Sequence, residues 1–237
     1  MRHMAWMFLP GLLAIGAASS GGCKGTIPNP LNQWPLYYHK ELTGLSRIKL
    51  TAQALDAKDV DVRREAIVEM THRFWGRDKL SLRSYALVAG NGVYHPTIRS
   101  VALRALAQGR QAAVGHVDNI LMALSDESID VRWDAAVALD RVTSEKAIAP
   151  LGARVAPKSE SSVDVRTAAA RALRHYRKTD AATALIVCLD DPDYAVCRAA
   201  HEALVEIAGK DLGPDPEHWI PLTKEIPPLP PKESWWK

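Results

Sequence analysis

The sequence contains few aromatic residues and few cysteines. Aromatic side chains make up 6% of the 237 residues, and there are 3 cysteines. Alanine is abundant by contrast, so we expect a core of small and aliphatic side chains on closely packed helices. The formal net charge is only +3, which argues against a generally basic coat for nucleic acid.

Motifs for common catalytic chemistries are also missing. The histidines show no HExxH spacing, and no serine lies in a nucleophile elbow. The stretch from Ala89 to Gly92 reads as a helix stop and turn rather than a phosphate-binding loop. The sequence therefore predicts no enzyme activity, no cofactor and no metal site.

One long apolar run at the N-terminus predicts export. Residues 4–18 carry no charge, Arg2 precedes them, and small residues follow at 19–22. This pattern is typical of a cleaved signal peptide over residues 1–22. An uncleaved membrane span is the alternative, although the run is short for the roughly 20 residues that a span requires. No other segment is apolar enough to cross a bilayer.

Cys23 follows the small residues directly. Residues 18–23, ASSGGC, resemble the lipobox of bacterial lipoproteins, in which the cysteine is acylated. The resemblance implies that Cys23 is lipidated and anchors the protein to a membrane, facing the periplasm or the cell exterior. Ser20 departs from the leucine that is usual there, and an ordinary secretory signal is the alternative.

Two proline-containing segments flank the middle of the chain. Residues 23–43 are predicted to form a tether whose apolar side chains cover the first repeat: Trp34, Leu36, Tyr37 and Tyr38. Residues 210–237 are predicted to form a C-terminal cap and a proline-rich tail, with Trp219 and Ile220 covering the last repeat. The tail sequence PPLPP is expected to be a strap or a disordered end, and a ligand motif is the weaker alternative.

Between these segments one motif occurs five times. It has a β-branched residue, an alanine four positions later and a leucine or methionine eight positions later, as in residues 128–142, SIDVRWDAAVALDRV. The copies start 31 to 36 residues apart, at Val62, Ile98, Val131, Val165 and Val196. A fixed period of this size predicts stacked helical repeats.

Each copy is predicted to form the second helix of a two-helix hairpin. First helices are expected at residues 45–57, 80–89, 117–125, 147–155 and 181–189. Second helices are expected at residues 61–74, 96–108, 130–142, 162–176 and 195–208. The alanine and the leucine or methionine share one helix face, so we assign them to the core. The predicted fold is all-α, an α-solenoid of about five two-helix repeats over residues 44–209.

An arginine follows the β-branched residue in four copies: Arg63, Arg99, Arg132 and Arg166. Asp126 and Glu160 each lie six residues before one of these arginines, a pattern that resembles the Asp/Arg ladder of HEAT repeats, specifically the short bacterial type related to phycobilin-lyase repeats. We assign the arginines to ion pairs between repeats rather than to an anion site.

The resemblance implies a scaffold or binding surface without catalysis. An accessory factor or enzyme of the phycobilin-lyase-like group is the alternative, and a nucleic-acid enzyme like the HEAT-like alkylpurine glycosylases is a third interpretation. The export signal argues against both, because their clients are cytoplasmic. The glycosylase interpretation also requires a clearly basic surface, which the sequence does not indicate.

Cys188, Cys197 and His201 form one cluster that chemistry could use. Cys197 and His201 share a helix face, and Cys188 lies near the end of the preceding helix. A disulfide between Cys188 and Cys197 is one interpretation, because an exported protein favours pairing of its remaining cysteines. Simple packing and a metal or nucleophile site are the alternatives.

The second helices of such arrays line the concave surface, where a partner is expected to bind. Residues two, six and nine positions after each motif start point outward there by helical phase. They include more arginine than acid, and arginine and tryptophan dominate protein interfaces. The candidate partner-binding residues are Arg64, Arg104, Trp133, Arg171, Arg174 and Arg198. We expect Trp133 to anchor an acidic or extended segment of a partner protein, and a merely solvated polar face is the alternative.

Overall fold

Helical hairpins follow one another along the chain in the computed structural model, which describes residues 44–226. The first helices are α1 (Leu45–Asp56), α3 (Lys79–Ala89), α5 (Val117–Ala123), α7 (Ile148–Arg154) and α9 (Thr179–Val187). The second helices are α2 (Val60–His72), α4 (Pro96–Gly109), α6 (Ile129–Leu139), α8 (Val163–Leu173) and α10 (Tyr194–Ala208). A short helix, α11 (Pro216–Trp219), follows. The predicted all-α solenoid of two-helix repeats is confirmed.

Acidic residues in the turns start several of these helices. The Asp59 carboxylate accepts the backbone N–H of Asp61 at 2.7 Å before α2, and the Asp193 carboxylate accepts that of Ala195 at 2.9 Å before α10. Such caps satisfy N–H groups that have no partner within the helix and complement its positive end. A 3-10 helix at Arg110–His116, which the sequence pattern did not predict, joins α4 to α5.

The two core positions of the motif are buried in every repeat. The alanine register contains Ala66, Ala102, Ala135, Ala169 and Ala200, and the register four residues later contains Met70, Leu106, Leu139, Leu173 and Leu204. Each of these side chains is at most 3% exposed. The predicted core is thus confirmed, and the methyl side chain of alanine lets neighbouring helices approach closely.

The second helices form a continuous layer. In the order α2, α4, α6, α8 and α10, each packs against the next. We call the side of this layer that carries Arg64, Arg104, Trp133, Arg171 and Arg198 the second-helix face. Residues of that face are held by the core on the other side of the same helices, so their positions follow from the stacking.

Buried ion pairs join three successive pairs of repeats at the hairpin turns. The Arg99 guanidinium donates to the Asp126 carboxylate at 2.7 Å. Arg132 donates two hydrogen bonds to Glu160, at 2.7 and 2.9 Å, and Arg166 donates two to Asp191, at 2.9 and 3.0 Å. Arg132 and Arg166 also donate to the backbone carbonyl six residues earlier, at 2.8 and 3.1 Å. We call this series the arginine ladder, and its predicted role between repeats is observed.

Different partners complete the ladder at its two ends. Arg63 lies over the Tyr94 ring, with its guanidinium carbon 4.5 Å from the ring centroid. In the fifth repeat Cys197 takes the arginine register, and its thiol donates to the Asp191 carbonyl at 3.0 Å. This bond replaces the one that Arg132 and Arg166 make to the carbonyl six residues earlier.

The ends of the array differ in how they are covered. Trp219 is fully buried, and its indole N–H donates to the Gly213 carbonyl at 2.8 Å. Ile220, which was expected to share this role, is 50% exposed. At the other end Val62 is 39% exposed, whereas its equivalents in later repeats are buried. The four residues predicted to cover the first repeat, at positions 34 to 38, lie outside the described residues.

We expect Glu160→Gln to lower the free energy of unfolding by about 3 kcal/mol at pH 7, because the variant leaves the Arg132 charge buried without its counter-charge. Burial alone would raise the pKa of Glu160, but hydrogen bonds from Arg132 and the Ser162 N–H outweigh it and hold that pKa below its usual range. A lowered folded-state pKa stabilises the protein above the unfolded-state pKa. The difference between wild type and variant should therefore shrink as pH falls through the carboxyl range.

Urea denaturation between pH 3 and pH 7 measures this effect. Glu145→Gln is the matched control, since Glu145 pairs with Lys178 at 3.0 Å on the surface and should matter little. Equal stability of the two variants at pH 7 would contradict a structural role for the ladder.

Candidate functional site

A groove of about 430 Å³ lies on the second-helix face between α6, α8 and the start of α10. Trp133 and Val137 on α6 form one wall, and Ala195 on α10 lies across from them. The floor comes from Thr167 and Ala168 on α8. Small residues at the floor leave space that a larger side chain would fill, so the groove follows from the sequence of α8.

Trp133 is the largest apolar side chain in this groove. It is 37% exposed, while Ala135, two residues further along α6, is fully buried. The Trp133 side chain points away from the core, toward the open side of the groove. An indole in such a position offers both apolar area and an N–H donor to a ligand.

The structure brings Trp133 and Arg171 into the same groove, as predicted by their shared phase on neighbouring second helices. The guanidinium of Arg171 makes no hydrogen bond or ion pair with any described residue, and the side chain is exposed. The other four predicted arginines do not line this groove, and each forms an ion pair within the protein.

Arg104 is neutralised by a buried carboxylate. Its Nε atom donates to Asp134 at 2.8 Å, and Asp134 is 2% exposed. This hydrogen bond raises the pKa of Arg104, although burial opposes the effect. The pair joins α4 to α6, so the observed role of Arg104 is to stabilise the stacking of these two helices.

Arg174 belongs to a cluster at the C-terminal ends of the second helices. Its guanidinium lies 3.1 Å from Asp140 and 3.7 Å from Glu206, which come from the neighbouring repeats. His175 also contacts Asp140, at 2.9 Å. The cluster spans α6, α8 and α10, and it closes one end of the groove, where Asp140 forms part of the lining.

Arg64 and Arg198 form exposed pairs within their own helices. Arg64 lies 3.2 Å from Asp61, and Arg198 lies 3.5 Å from Glu202. The basic surplus expected on this face is therefore largely balanced. Helical phase alone missed Asp134 and Glu206, although Asp134 stands in a register where three of the other four repeats have valine or alanine.

Asp164 is the groove residue that the sequence reasoning overlooked. It lies in the first turn of α8, seven residues before Arg171, and lines the same groove. Like Arg171, it makes no ion pair with the described residues. A carboxylate in the first helical turn is favourable beside the helix N-terminus. Because this structural role is a sufficient explanation for Asp164, the sequence alone offered no reason to consider it as a binding residue.

The predicted disulfide between Cys188 and Cys197 is not present, and both side chains are free thiols. Cys188 is buried, and its thiol donates to the Ala184 carbonyl of the preceding helix α9 at 3.1 Å. Cys197 instead occupies the last position of the arginine ladder. The packing alternative accounts for both residues. Burial and the nearby Asp191 carboxylate raise the pKa of Cys188 to about 12, which leaves it a poor nucleophile.

His201 has a separate structural partner. It contacts the Asp211 carboxylate at 2.9 Å and meets the Trp219 ring edge-on at 5.7 Å between centroids. Hydrogen bonds from the Gly213 N–H and from His201 lower the pKa of Asp211. His201 thus fixes the C-terminal cap and does not join the cysteines in a common site.

Residues 44–226 contain no group of histidine, cysteine and acidic side chains arranged to hold a metal ion. Over the same residues, no helix combines the length and apolar character needed to cross a membrane. Cys23, the predicted lipidation site, lies outside the described residues.

No protein-family model matches the chain, and neither does any curated protein sequence. Solved structures do match. A designed armadillo repeat protein is similar over 74% of this chain and 86% of its own, with 16% identity and a TM-score of 0.54. An engineered protein is similar over 68% of this chain and 78% of its own, with 21% identity and the same TM-score.

Human deoxyhypusine hydroxylase in complex with glycerol aligns over 77% of this chain and 92% of its own at 16% identity. Its TM-score of 0.38 is too low to support an inference about this protein. The two better matches establish that the chain has the fold of armadillo- and HEAT-like helical repeat proteins.

Proposed function

We propose that this protein is a non-catalytic scaffold that binds another protein on its second-helix face. The groove around Trp133 carries the proposal, because it combines an exposed indole with a guanidinium that pairs with no described residue. Exposed aromatic and arginine side chains in a concave site are the usual centres of binding energy. Helical repeat folds are consistent with this role, since each stacked helix adds a row of side chains to one extended surface.

The proposal includes a cellular location. The apolar run at residues 4–18 and the sequence ASSGGC up to Cys23 support export followed by lipidation. An acylated Cys23 would hold the array at a membrane surface, with the proline-containing residues 24–43 as a tether. The partner is then a protein outside the cytoplasm.

Site-specific photocrosslinking in cells tests the binding face. A photoreactive phenylalanine analogue at position 133 should give protein adducts, because an aromatic side chain there lies within the groove. The same analogue at Met122, which is 63% exposed on the first helix α5, is the matched control. Equal adducts at both positions, or none at position 133, would refute the proposed face.

The captured protein, once purified, allows a quantitative test by calorimetry. Trp133→Ala should weaken its binding by tenfold or more, as expected for an interface centre contributing about 1.4 kcal/mol or more. Met122→Ala should leave the affinity unchanged. Circular dichroism spectra of both variants control for folding.

Membrane fractionation tests the anchor. The wild-type chain should sediment with membranes and resist extraction by salt, because each buried methylene of an acyl chain contributes about 0.8 kcal/mol. Cys23→Ala should move the protein to the soluble fraction outside the cytoplasm. Recovery of the wild type in the cytoplasmic fraction would contradict export, whatever the photocrosslinking shows.

A further inference from the structure

The groove of the proposed function has a charge at each end. Asp164 and Arg171 both line it from α8, and neither forms an ion pair with a described residue. They are seven residues apart, which is about two turns or 10.5 Å along the helix axis. Thr167 and Ala168 lie between them on the same side of α8 and form the floor.

The charges elsewhere around the groove are already matched. Asp140 lines it from α6 but pairs with Arg174 and His175, at 3.1 and 2.9 Å. Arg166, the ladder arginine of α8, is buried and forms an ion pair with Asp191. One carboxylate and one guanidinium therefore remain for a ligand, with the apolar wall of Trp133 and Val137 beside them.

From this arrangement we infer that the groove binds an extended segment of the partner protein with one basic and one acidic side chain about three residues apart. The inference rests on the proposed function and specifies its ligand. The basic side chain pairs with Asp164, the acidic side chain pairs with Arg171, and an apolar side chain between them packs on Trp133. Of the acidic or extended segment expected from the sequence, the extended alternative is kept, because a purely acidic segment would be repelled by Asp164.

An extended polyproline II conformation matches the spacing of the two charges. It has three residues per turn and a rise of about 3.1 Å per residue, so side chains three apart point the same way about 9.3 Å apart.

Three short peptides with acetylated and amidated ends test the inference by NMR titration of the protein: Lys-Pro-Leu-Glu, Lys-Pro-Leu-Lys and Glu-Pro-Leu-Glu. The wild-type protein should prefer the first over the other two by about fivefold, the size of effect expected for one exposed ion pair. Arg171→Glu should make Lys-Pro-Leu-Lys the best ligand. Asp164→Lys should make Glu-Pro-Leu-Glu the best ligand.

Arg64→Glu is the control, because Arg64 lies on the same face in the first repeat and does not line this groove. It should keep the wild-type order of the three peptides. The inference is overturned if the wild type and the three variants all give the same order of peptides. It is also overturned if no peptide binds at about 10 mM, which corresponds to a binding free energy weaker than about 3 kcal/mol. Preference of the wild type for Glu-Pro-Leu-Glu would indicate an anionic partner and would also overturn it.

These outcomes are separate from those of the proposed function. Position-specific crosslinking at residue 133 together with an unchanged peptide order would leave the binding face in place and remove the charge pattern. If position 133 gives no specific adducts and the peptide order is also unchanged, both the binding face and the charge pattern are refuted.

Discussion

The close packing of one second helix on the next is the constraint on which this structure depends. It requires a side chain no larger than alanine at one register of the motif, and five alanines supply it. The leucine or methionine one turn later then fills the layer between repeats. The ladder arginines add specificity to this apolar stack, because a buried guanidinium and a turn carboxylate from the next repeat satisfy each other in one orientation. The second-helix face exists because these side chains occupy the opposite side of the same helices.

This arrangement separates the arginines of the chain by role. Arg99, Arg132 and Arg166 hold turns together, while Arg104 and Arg174 join second helices through Asp134, Asp140 and Glu206. Their charges are balanced inside the fold, so the face is less basic than its residue composition indicates. Under the proposed function, binding specificity depends on the few exposed charges that the stack leaves unpaired. In the groove those groups are Asp164 and Arg171.

Much of the fold could be predicted because the repeat motif occurs five times in the sequence. Alternation of small and large apolar residues at positions such as Ala135 and Leu139 defines the buried face directly. Cys197 could be aligned with the ladder arginines, but its thiol bond to the Asp191 carbonyl depends on turn geometry that no spacing shows. The interpretation of Cys188 and Cys197 as a disulfide failed for that reason.

The site was only partly predictable. Helical phase placed Trp133 and Arg171 on neighbouring helices, and the groove contains both. Phase within one repeat says nothing about which side chain of the next repeat reaches across, so the pairing of Arg104 with Asp134 and of Arg174 with Glu206 was missed. Asp164 was overlooked because its place in the first turn has a sufficient local explanation. Cross-repeat contacts thus decided which predicted residues remain available to a partner.

Two arginines on one helix offer the most direct test of this division between stack and face. Arg166 and Arg171 lie five residues apart on α8, one in the ladder and one in the groove. The free energy of unfolding, measured in urea at pH 7, should fall by about 3 kcal/mol or more for Arg166→Ala, because Asp191 is left buried and unpaired. For Arg171→Ala it should change by no more than about 0.5 kcal/mol. A loss of stability in Arg171→Ala as large as that in Arg166→Ala would show that Arg171 serves the fold, and would contradict the account.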